Sequence, residues 1–264
     1  KQRVAATETR RLGLGIMGIA DMLNQLGIGY DSEEGMKIIA EVMEFITNAA
    51  YQASASLAAE KGASPIYSEE EYMECPFMEA ALSNETQSLI RENGIRNIAI
   101  MSIAPTGSIS NIVKGIQIEG KNYIGVSGGV EPIFALYYTR RTESFKKNEF
   151  YNVFHSTVQA FIDKMDLGEE VKMTDNIEDV LPDYFFRTAH YIKPDKRVKI
   201  QGMIQKYIDH SISSTINLPE DVQPEVISDI YLQAWKKELK GVTIYRDGSR
   251  FPILSTEEEI TEFQ

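Results

Sequence analysis

Small hydroxyl-bearing residues around a glycine follow a compact apolar run in the segment 98-IAIMSIAPTGSISNIVKG-115. The run ends at Pro105, which is followed by Thr106-Gly107-Ser108-Ile109. A turn of this kind between a buried strand and a helical segment leaves several backbone N–H groups free to bind a phosphate. The same residues equally suit an ordinary Ser/Thr cap after a strand. No Gly-Lys-Ser/Thr follows, which excludes a P-loop.

A second candidate nucleotide motif is the G-x-G-x-x-G at positions 13–18. This fingerprint binds a dinucleotide only where a buried strand leads into its first glycine, and residues 5–11 are polar and charged. Asp31 lies near the distance expected of a ribose-binding carboxylate, but its surroundings are typical of a helix start. We therefore interpret 10–29 as a helix whose small residues allow close packing. A dehydrogenase is the weaker alternative.

Histidines and the single cysteine are the other residues that could bind a metal or act as nucleophiles. His155, His190 and His210 are far apart and lack the i, i+4 spacing of a helical metal pair, so we predict no metal site. Asp209 precedes His210 on a segment predicted to be helical, and we interpret the two as a surface or packing pair. Cys75 follows an acidic stretch whose charges oppose a thiolate, and we predict that it is inert.

The composition is that of an ordinary soluble globular protein, with 264 residues of which 43% are hydrophobic and 25% charged. A net charge of −12 argues against a broad nucleic-acid surface. One cysteine excludes an intrachain disulfide, and no run of 18 apolar residues is present to span a membrane. The sequence starts without an initiator Met or a signal core, which predicts an internal piece of a longer chain. We expect a cytoplasmic location.

Periodicity and turn residues divide the chain into alternating helices and strands. Helices are expected at 10–29, 32–61, 196–211 and 223–240, and strands at 98–104, 133–139, 213–218 and 241–245. This alternation indicates an α/β architecture with mainly parallel strands in a single domain, residues 1–264. Residues 142–195 are the most irregular part and are predicted to be a peripheral insertion, and 253–264 a tail.

Five segments, taken in order, carry a resemblance to one enzyme family. They are 11-RLGLGIMGIADML-23, 104-APTGSIS-110, 127-SGGVEPIF-134 with 138-YTRR-141, 211-SISSTINLP-219 and 241-GVTIYRDGSR-250. Over about residues 1–252, the chain resembles the C-terminal part of the large catalytic subunit of ribonucleotide reductases. The class it resembles is the adenosylcobalamin-dependent class II.

The resemblance implies a fold and a reaction. The fold is a ten-stranded α/β barrel with a central finger loop, of which this chain would be the C-terminal portion. Within it, the stretch Gly13-Leu14-Gly15 would begin a structural helix. The loop that holds the phosphates of a ribonucleoside di- or triphosphate would be Pro105, Thr106, Gly107, Ser108 and Ile109. The reaction reduces ribonucleotides to deoxyribonucleotides by thiyl-radical chemistry, which adenosylcobalamin initiates in the complete enzyme.

The chain lacks the cysteines and the finger-loop motif that the family's chemistry uses. The family's chemistry uses at least three cysteines and an Asn-x-Cys-x-Glu finger loop, whereas this chain has one cysteine and no such motif. We therefore assign no catalytic residue to it and leave its cobalamin contacts open. We expect a fragment, one half of a split enzyme, or a truncated chain that is inactive without an N-terminal partner. A homodimer is compatible with the resemblance.

Two further interpretations stay open. Class I enzymes of the family carry two adjacent tyrosines near the end of the barrel, and here Tyr245 stands alone in 243-TIYR-246. This favours the cobalamin class over a class I fragment. The other interpretation is a non-catalytic half-barrel that binds a nucleotide or a protein partner. An upstream reading frame that encodes Asn-x-Cys-x-Glu would argue against it.

Overall fold

The structure is a computed structural model that describes residues 1–144, 147–174 and 176–249. Its α-helices are α1 Gln2–Thr9, α2 Ile19–Gln25, α3 Glu33–Lys61, α4 Glu69–Met73, α5 Pro76–Ala81, α6 Asn84–Asn93, α7 Ser156–Lys164, α8 Gly168–Met173, α9 Pro194–Gln205 and α10 Pro224–Lys236. Its strands are β1 Lys114–Ile118, β2 Lys121–Ile124, β3 Tyr137–Ser144, β4 Lys147–Phe154, β5 Thr215–Leu218 and β6 Thr243–Arg246. The predicted tail, 253–264, lies outside the described residues.

Four segments run parallel side by side, and we call them the parallel array: residues 12–14, 99–103, 211–218 and 243–246. Leu14 forms a parallel bridge with Met101, and Ile103 forms one with Ile212. β5 and β6 pair in parallel and complete the array. This order agrees with the predicted α/β class. Within the described ranges the array does not close on itself, so a closed barrel of ten strands stays a prediction.

The helix predicted over 10–29 is wrong in its first half. Leu14 belongs to the parallel array, and only α2, from Ile19 onward, is helical. A Cβ atom on Gly15 would lie 2.4 Å from the carbonyl oxygen of Ser102, so the glycine lets two array segments approach closely. Gly18 turns the chain into α2 with φ 80°. Each glycine disfavours a helix interior by about 1 kcal/mol, which explains why this segment is extended.

The long helix predicted over 32–61 is confirmed as α3. The side chain of Ser32 accepts a hydrogen bond from the Gly35 amide at 2.9 Å, and Gly62 follows the last turn with φ 81°. The helix contacts α6 and α9 and buries Ile39 and Met43 in the main core. The same core contains Ile100, Met101 and Ile103, so α3 packs against one side of the array segment 99–103.

Two antiparallel hairpins were not predicted. The strand expected at 133–139 begins later, as β3, and pairs with β4 instead of joining the parallel array. β1 and β2 form the other hairpin, whose turn at Glu119 and Gly120 has positive φ at both residues. Within 142–195, α7 contributes to a separate apolar cluster around Val158 and Phe185. The proposal that this region is an insertion stays a prediction.

Candidate functional site

A cleft of about 420 Å³ lies at the carboxyl end of the parallel array, and polar side chains of the array line part of it. On β5 and the residues before it, Ser213, Thr215 and Asn217 alternate, which places them on one face of the segment, and all three line the cleft. Tyr245 of β6 pairs with Asn217 and lines it too. The other walls are the loops 105–111 and 126–134 together with His155 and Ala189.

The loop predicted to bind phosphate has its amide groups free. The N–H groups of residues 106–109 donate to no acceptor within the described part of the chain. Ser108 is exposed, and a Cβ atom on Gly107 would meet nothing within 4 Å, so this side of the loop is open. Several free amides on one exposed turn form a cradle for an anion.

The conformation of this loop is strained and held in place by side chains. Thr106 has φ 53°, in the left-handed region that threonine rarely adopts, at a cost of about 1–3 kcal/mol. Its Oγ1 accepts a hydrogen bond from the Gly129 amide at 2.8 Å, and its carbonyl accepts one from the Ser110 amide at 2.9 Å. Asn111 Nδ2 donates to the Gly107 carbonyl at 2.7 Å. The loop is therefore organised before any ligand arrives.

A buried carboxylate that the sequence analysis missed supports the second wall. Asp21 is 2% exposed, and its Oδ2 accepts a hydrogen bond from the Ser127 amide at 2.6 Å. Its Oδ1 accepts from the Thr157 hydroxyl and lies 3.6 Å from His155 Nδ1. Burial lowers the pKa of His155, and the nearby Asp21 opposes that effect without cancelling it. The signal in the sequence was an acidic residue within the apolar helix α2.

A second missed pair joins the loop 126–134 to β5. Arg197, whose side chain is 4% exposed, donates to a carboxylate oxygen of Glu131 and to Ser214 Oγ at 3.1 Å. The other oxygen of Glu131 accepts a hydrogen bond from the Thr215 amide at 2.8 Å. Glu131 was part of a recognised motif but received no role. The pair fixes the distance between two walls of the cleft, since each partner is tied to a different wall.

The opposite, amino end of the parallel array holds a different cluster. Asp209 accepts hydrogen bonds from the Ile100 amide at 2.7 Å, the Met101 amide at 3.0 Å and the hydroxyl of Tyr51. Burial raises the pKa of Tyr51 well above its usual range. Asp209 lies beyond the end of α9 and not on a helix as predicted. It therefore secures the start of an array segment.

The remaining candidates do not come together. Cys75 is exposed and lines a second cavity of about 420 Å³ at the amino end, beside Tyr72 and Asp209. His190 lies 4.0 Å from Asp247, whereas His155 lies beside Asp21. In the described ranges, no group of three or more His, Cys, Asp or Glu residues could hold a metal ion. No helix among those residues has the length and apolarity needed to cross a membrane.

Comparisons with known proteins give a consistent result. A family model described as "Ribonucleotide reductase, barrel domain" matches residues 1–245. A "Vitamin B12-dependent ribonucleoside-diphosphate reductase" of Mycobacterium tuberculosis is 32% identical over 253 residues, 93% of this chain and 32% of the relative. The protein of that name from Thermoplasma acidophilum is 34% identical over 252 residues, 92% of this chain and 29% of the relative. The chain thus spans about a third of the length of these curated relatives.

Further matches concern proteins described as alpha subunits. A "Ribonucleoside-diphosphate reductase subunit alpha" of Chlamydia muridarum is 31% identical over 278 residues, 91% of this chain and 24% of the relative. Among solved structures, the Actinobacillus ureae class Id ribonucleotide reductase alpha subunit superposes with a TM-score of 0.62 at 23% identity. The match covers 92% of this chain and 40% of that one, and it supports the fold alone.

Proposed function

Because the chain belongs to the ribonucleotide reductase barrel-domain family, we propose that it supplies the substrate phosphate-binding loop of a vitamin B12-dependent reductase. The loop is Pro105 to Ile109, and the reaction is the reduction of ribonucleotides to deoxyribonucleotides. The observation that carries the proposal is the set of free amides at residues 106–109, beside a cleft at the carboxyl end of the parallel array that Ser213, Thr215 and Asn217 also line. Ligands of open α/β sheets bind at this end.

The chain's own residues bind and orient the substrate in this proposal. The loop amides donate to the phosphate oxygens, and the left-handed Thr106 keeps them pointed outward before binding. Glu131 and Arg197 hold the facing wall at a fixed distance, so a bound nucleotide keeps one orientation. No catalytic residue is assigned to this chain. The thiyl radical and the reducing cysteines would come from the N-terminal part of the enzyme.

The cobalamin cofactor is assigned to the complete enzyme only. The cleft, at about 420 Å³, is within the range of about 300–1,000 Å³ that suits a nucleotide-sized ligand. A corrin ring with its side chains is far larger and does not fit there. No residue of this chain is assigned a contact with cobalamin. When bound elsewhere in the enzyme, cobalamin in its adenosyl form would supply the initiating radical.

The class II assignment rests on two observations. Two of the relatives named vitamin B12-dependent are 32% and 34% identical to this chain, against 31% for the alpha subunit from Chlamydia muridarum, and a third B12-dependent relative is 25% identical. Tyr245 lines the cleft as a lone tyrosine, without the adjacent partner that radical transfer in class I uses. A class I origin is therefore the second candidate. A homodimer of the complete enzyme is part of the same proposal.

Binding of a ribonucleoside diphosphate to the 264-residue chain tests the phosphate loop directly. We expect titration calorimetry to detect binding to the unaltered chain and a loss of at least about tenfold in affinity for Ser108→Asp, because a carboxylate in the cradle repels the phosphates. Ser88→Asp, on the exposed face of α6, is the matched control and should bind normally. Equal affinity of all three folded proteins would remove the loop from the site.

A further inference from the structure

His155 lines the same cleft as the phosphate loop but has no role in the proposed function. It caps the N-terminus of α7, and the next residue, Ser156, donates a hydrogen bond to the Gly125 carbonyl at 2.6 Å. Val126, one residue further along that segment, donates to the Ser110 carbonyl at 2.8 Å. The segment that carries His155 is therefore linked to Ser110, the residue that follows the loop, through these two hydrogen bonds.

The two ring nitrogens of His155 have different surroundings. Nδ1 accepts a weak hydrogen bond from the Thr157 amide at 3.4 Å and lies 3.6 Å from Asp21 Oδ1. In the neutral ring, an accepting Nδ1 leaves the proton on Nε2. Nε2 has no partner within the described part of the chain. The nitrogen that remains for a ligand is therefore a donor.

A second polar group beside the imidazole also lacks a partner. Ser127 is 5% exposed and lines the cleft, and its Oγ makes no hydrogen bond to any described residue. Its amide is fixed by Asp21, the carboxylate that faces His155. Buried hydroxyl groups are normally paired, so an unpaired one that lines a cleft indicates a ligand oxygen.

We propose that His155 is a further ligand-binding residue of this cleft, which donates from Nε2 to the phosphate held by residues 105–109 and takes up a proton when that anion binds. The Ser127 hydroxyl is the second donor on the same wall. This inference rests on the proposed phosphate loop and extends it to α7. It also specifies the preferred ligand as a phosphate dianion, because a neutral ligand would give the ring no reason to ionise.

The direction of the proton movement follows from the charges around the ring. In the free protein burial keeps the pKa of His155 below its ordinary value, so the ring is neutral at pH 7. A dianion next to Nε2 favours the charged ring and raises this pKa. The incoming proton binds Nδ1, where Asp21 Oδ1 is in position to accept the new N–H. Glu131, which also lines the cleft, is neutralised by its ion pair with Arg197.

Nuclear magnetic resonance of the 264-residue chain with labelled histidines tests this inference. Sulfate is the probe, because it is a tetrahedral dianion that does not itself titrate between pH 5 and 8. We expect saturating sulfate to raise the pKa of one imidazole by about one unit. That signal should be missing from His155→Asn, in which asparagine preserves the cap of α7. His190→Asn is the control and should leave the shift unchanged.

The amide signals of Gly107 and Ser108, recorded in the same titration, separate the two proposals. If these amides and the imidazole both respond, the inference is supported. If the amides respond while the pKa of His155 stays constant, the inference is overturned and the phosphate loop stands. If neither responds, both fail. Ser127→Ala should weaken sulfate binding by about tenfold if its hydroxyl contacts the anion, and unchanged binding would exclude that contact.

Discussion

Both ends of the parallel array carry polar groups, but the groups named here differ in whether they have hydrogen-bond partners within the chain. At the amino end, Asp209 accepts from two backbone amides and from the hydroxyl of Tyr51, so these three donors are paired within the chain. At the carboxyl end, the amides of residues 106–109 and the hydroxyl of Ser127 have no partners among the described residues. The left-handed Thr106 lies at this end as well.

This difference is the one expected between a structural cluster and the proposed binding site. Paired polar groups stabilise the fold and gain nothing from a ligand, whereas unpaired donors and local strain are retained where a ligand compensates for them. The same division is found in barrels of parallel strands, whose ligands bind at the carboxyl ends while the amino ends contribute stability. Substitutions at the two ends should therefore separate effects on stability from effects on binding.

The largest effect is expected at the amino end. Asp209→Ala leaves the amides of Ile100 and Met101 and the Tyr51 hydroxyl without their acceptor, so the free energy of unfolding should fall by about 3 kcal/mol. Urea denaturation followed by circular dichroism measures this. Asp195→Ala, an exposed carboxylate in the first turn of α9, is the control and should change stability by no more than about 0.5 kcal/mol. Similar losses in the two variants would contradict the division between the ends.

The next effect is expected on binding at the carboxyl end. In an enzyme reconstituted with its N-terminal part, Ser108→Asp should raise KM for the nucleotide by about a hundredfold, roughly 2.7 kcal/mol, because the new carboxylate faces the phosphates. The value of kcat at saturation should change little, since in the proposed function the loop holds a group that does not react. Steady-state kinetics separate the two constants. A variant with unaltered KM and an intact fold would exclude the loop from the substrate site.

A smaller, pH-dependent effect should link the cleft to stability. Burial lowers the pKa of His155 in the folded chain, so protonation favours the unfolded state. The stability that neutral His155 contributes is complete above its unfolded pKa of about 6.5 and is lost as the pH falls below it. In buffers free of phosphate and sulfate, His155→Asn should therefore lose less stability than the unaltered chain between pH 7 and 5. Parallel unfolding curves at both pH values would contradict this assignment.

How much the sequence could predict depended on how local each feature is. α3 was predicted correctly because its cap at Ser32 and its stop at Gly62 are local signals. The extended segment before α2 was misassigned because Gly15 contacts Ser102, a residue that no local pattern reveals. The turn of the first hairpin contains Gly120, which is a local turn signal, but the sequence analysis predicted no hairpin there.

The same limit applies to the candidate site. The loop 105–109 could be proposed from its own residues, because a strand followed by hydroxyl groups around a glycine is a local pattern. The supports of the opposite wall could not, since Asp21 binds the Ser127 amide across 106 positions and Arg197 binds Glu131 across 66. Such pairs exist only once the fold is formed. Asp21, the one charged residue of α2, was a trace of them in the sequence, whereas Arg197 lies among other charged residues of α9.

The smallest effect is expected for Cys75. Cys75→Ala should leave the turnover of the reconstituted enzyme within about threefold, or roughly 0.7 kcal/mol of barrier. The thiol lines the cavity at the amino end, beside Tyr72 and Asp209, whereas the proposed phosphate loop lies at the carboxyl end. Turnover with dithiothreitol as the reductant should be compared for both proteins once each is shown to be folded. A loss of a hundredfold or more would mean that Cys75 takes part in the reduction, and that the amino end of the array is not purely structural.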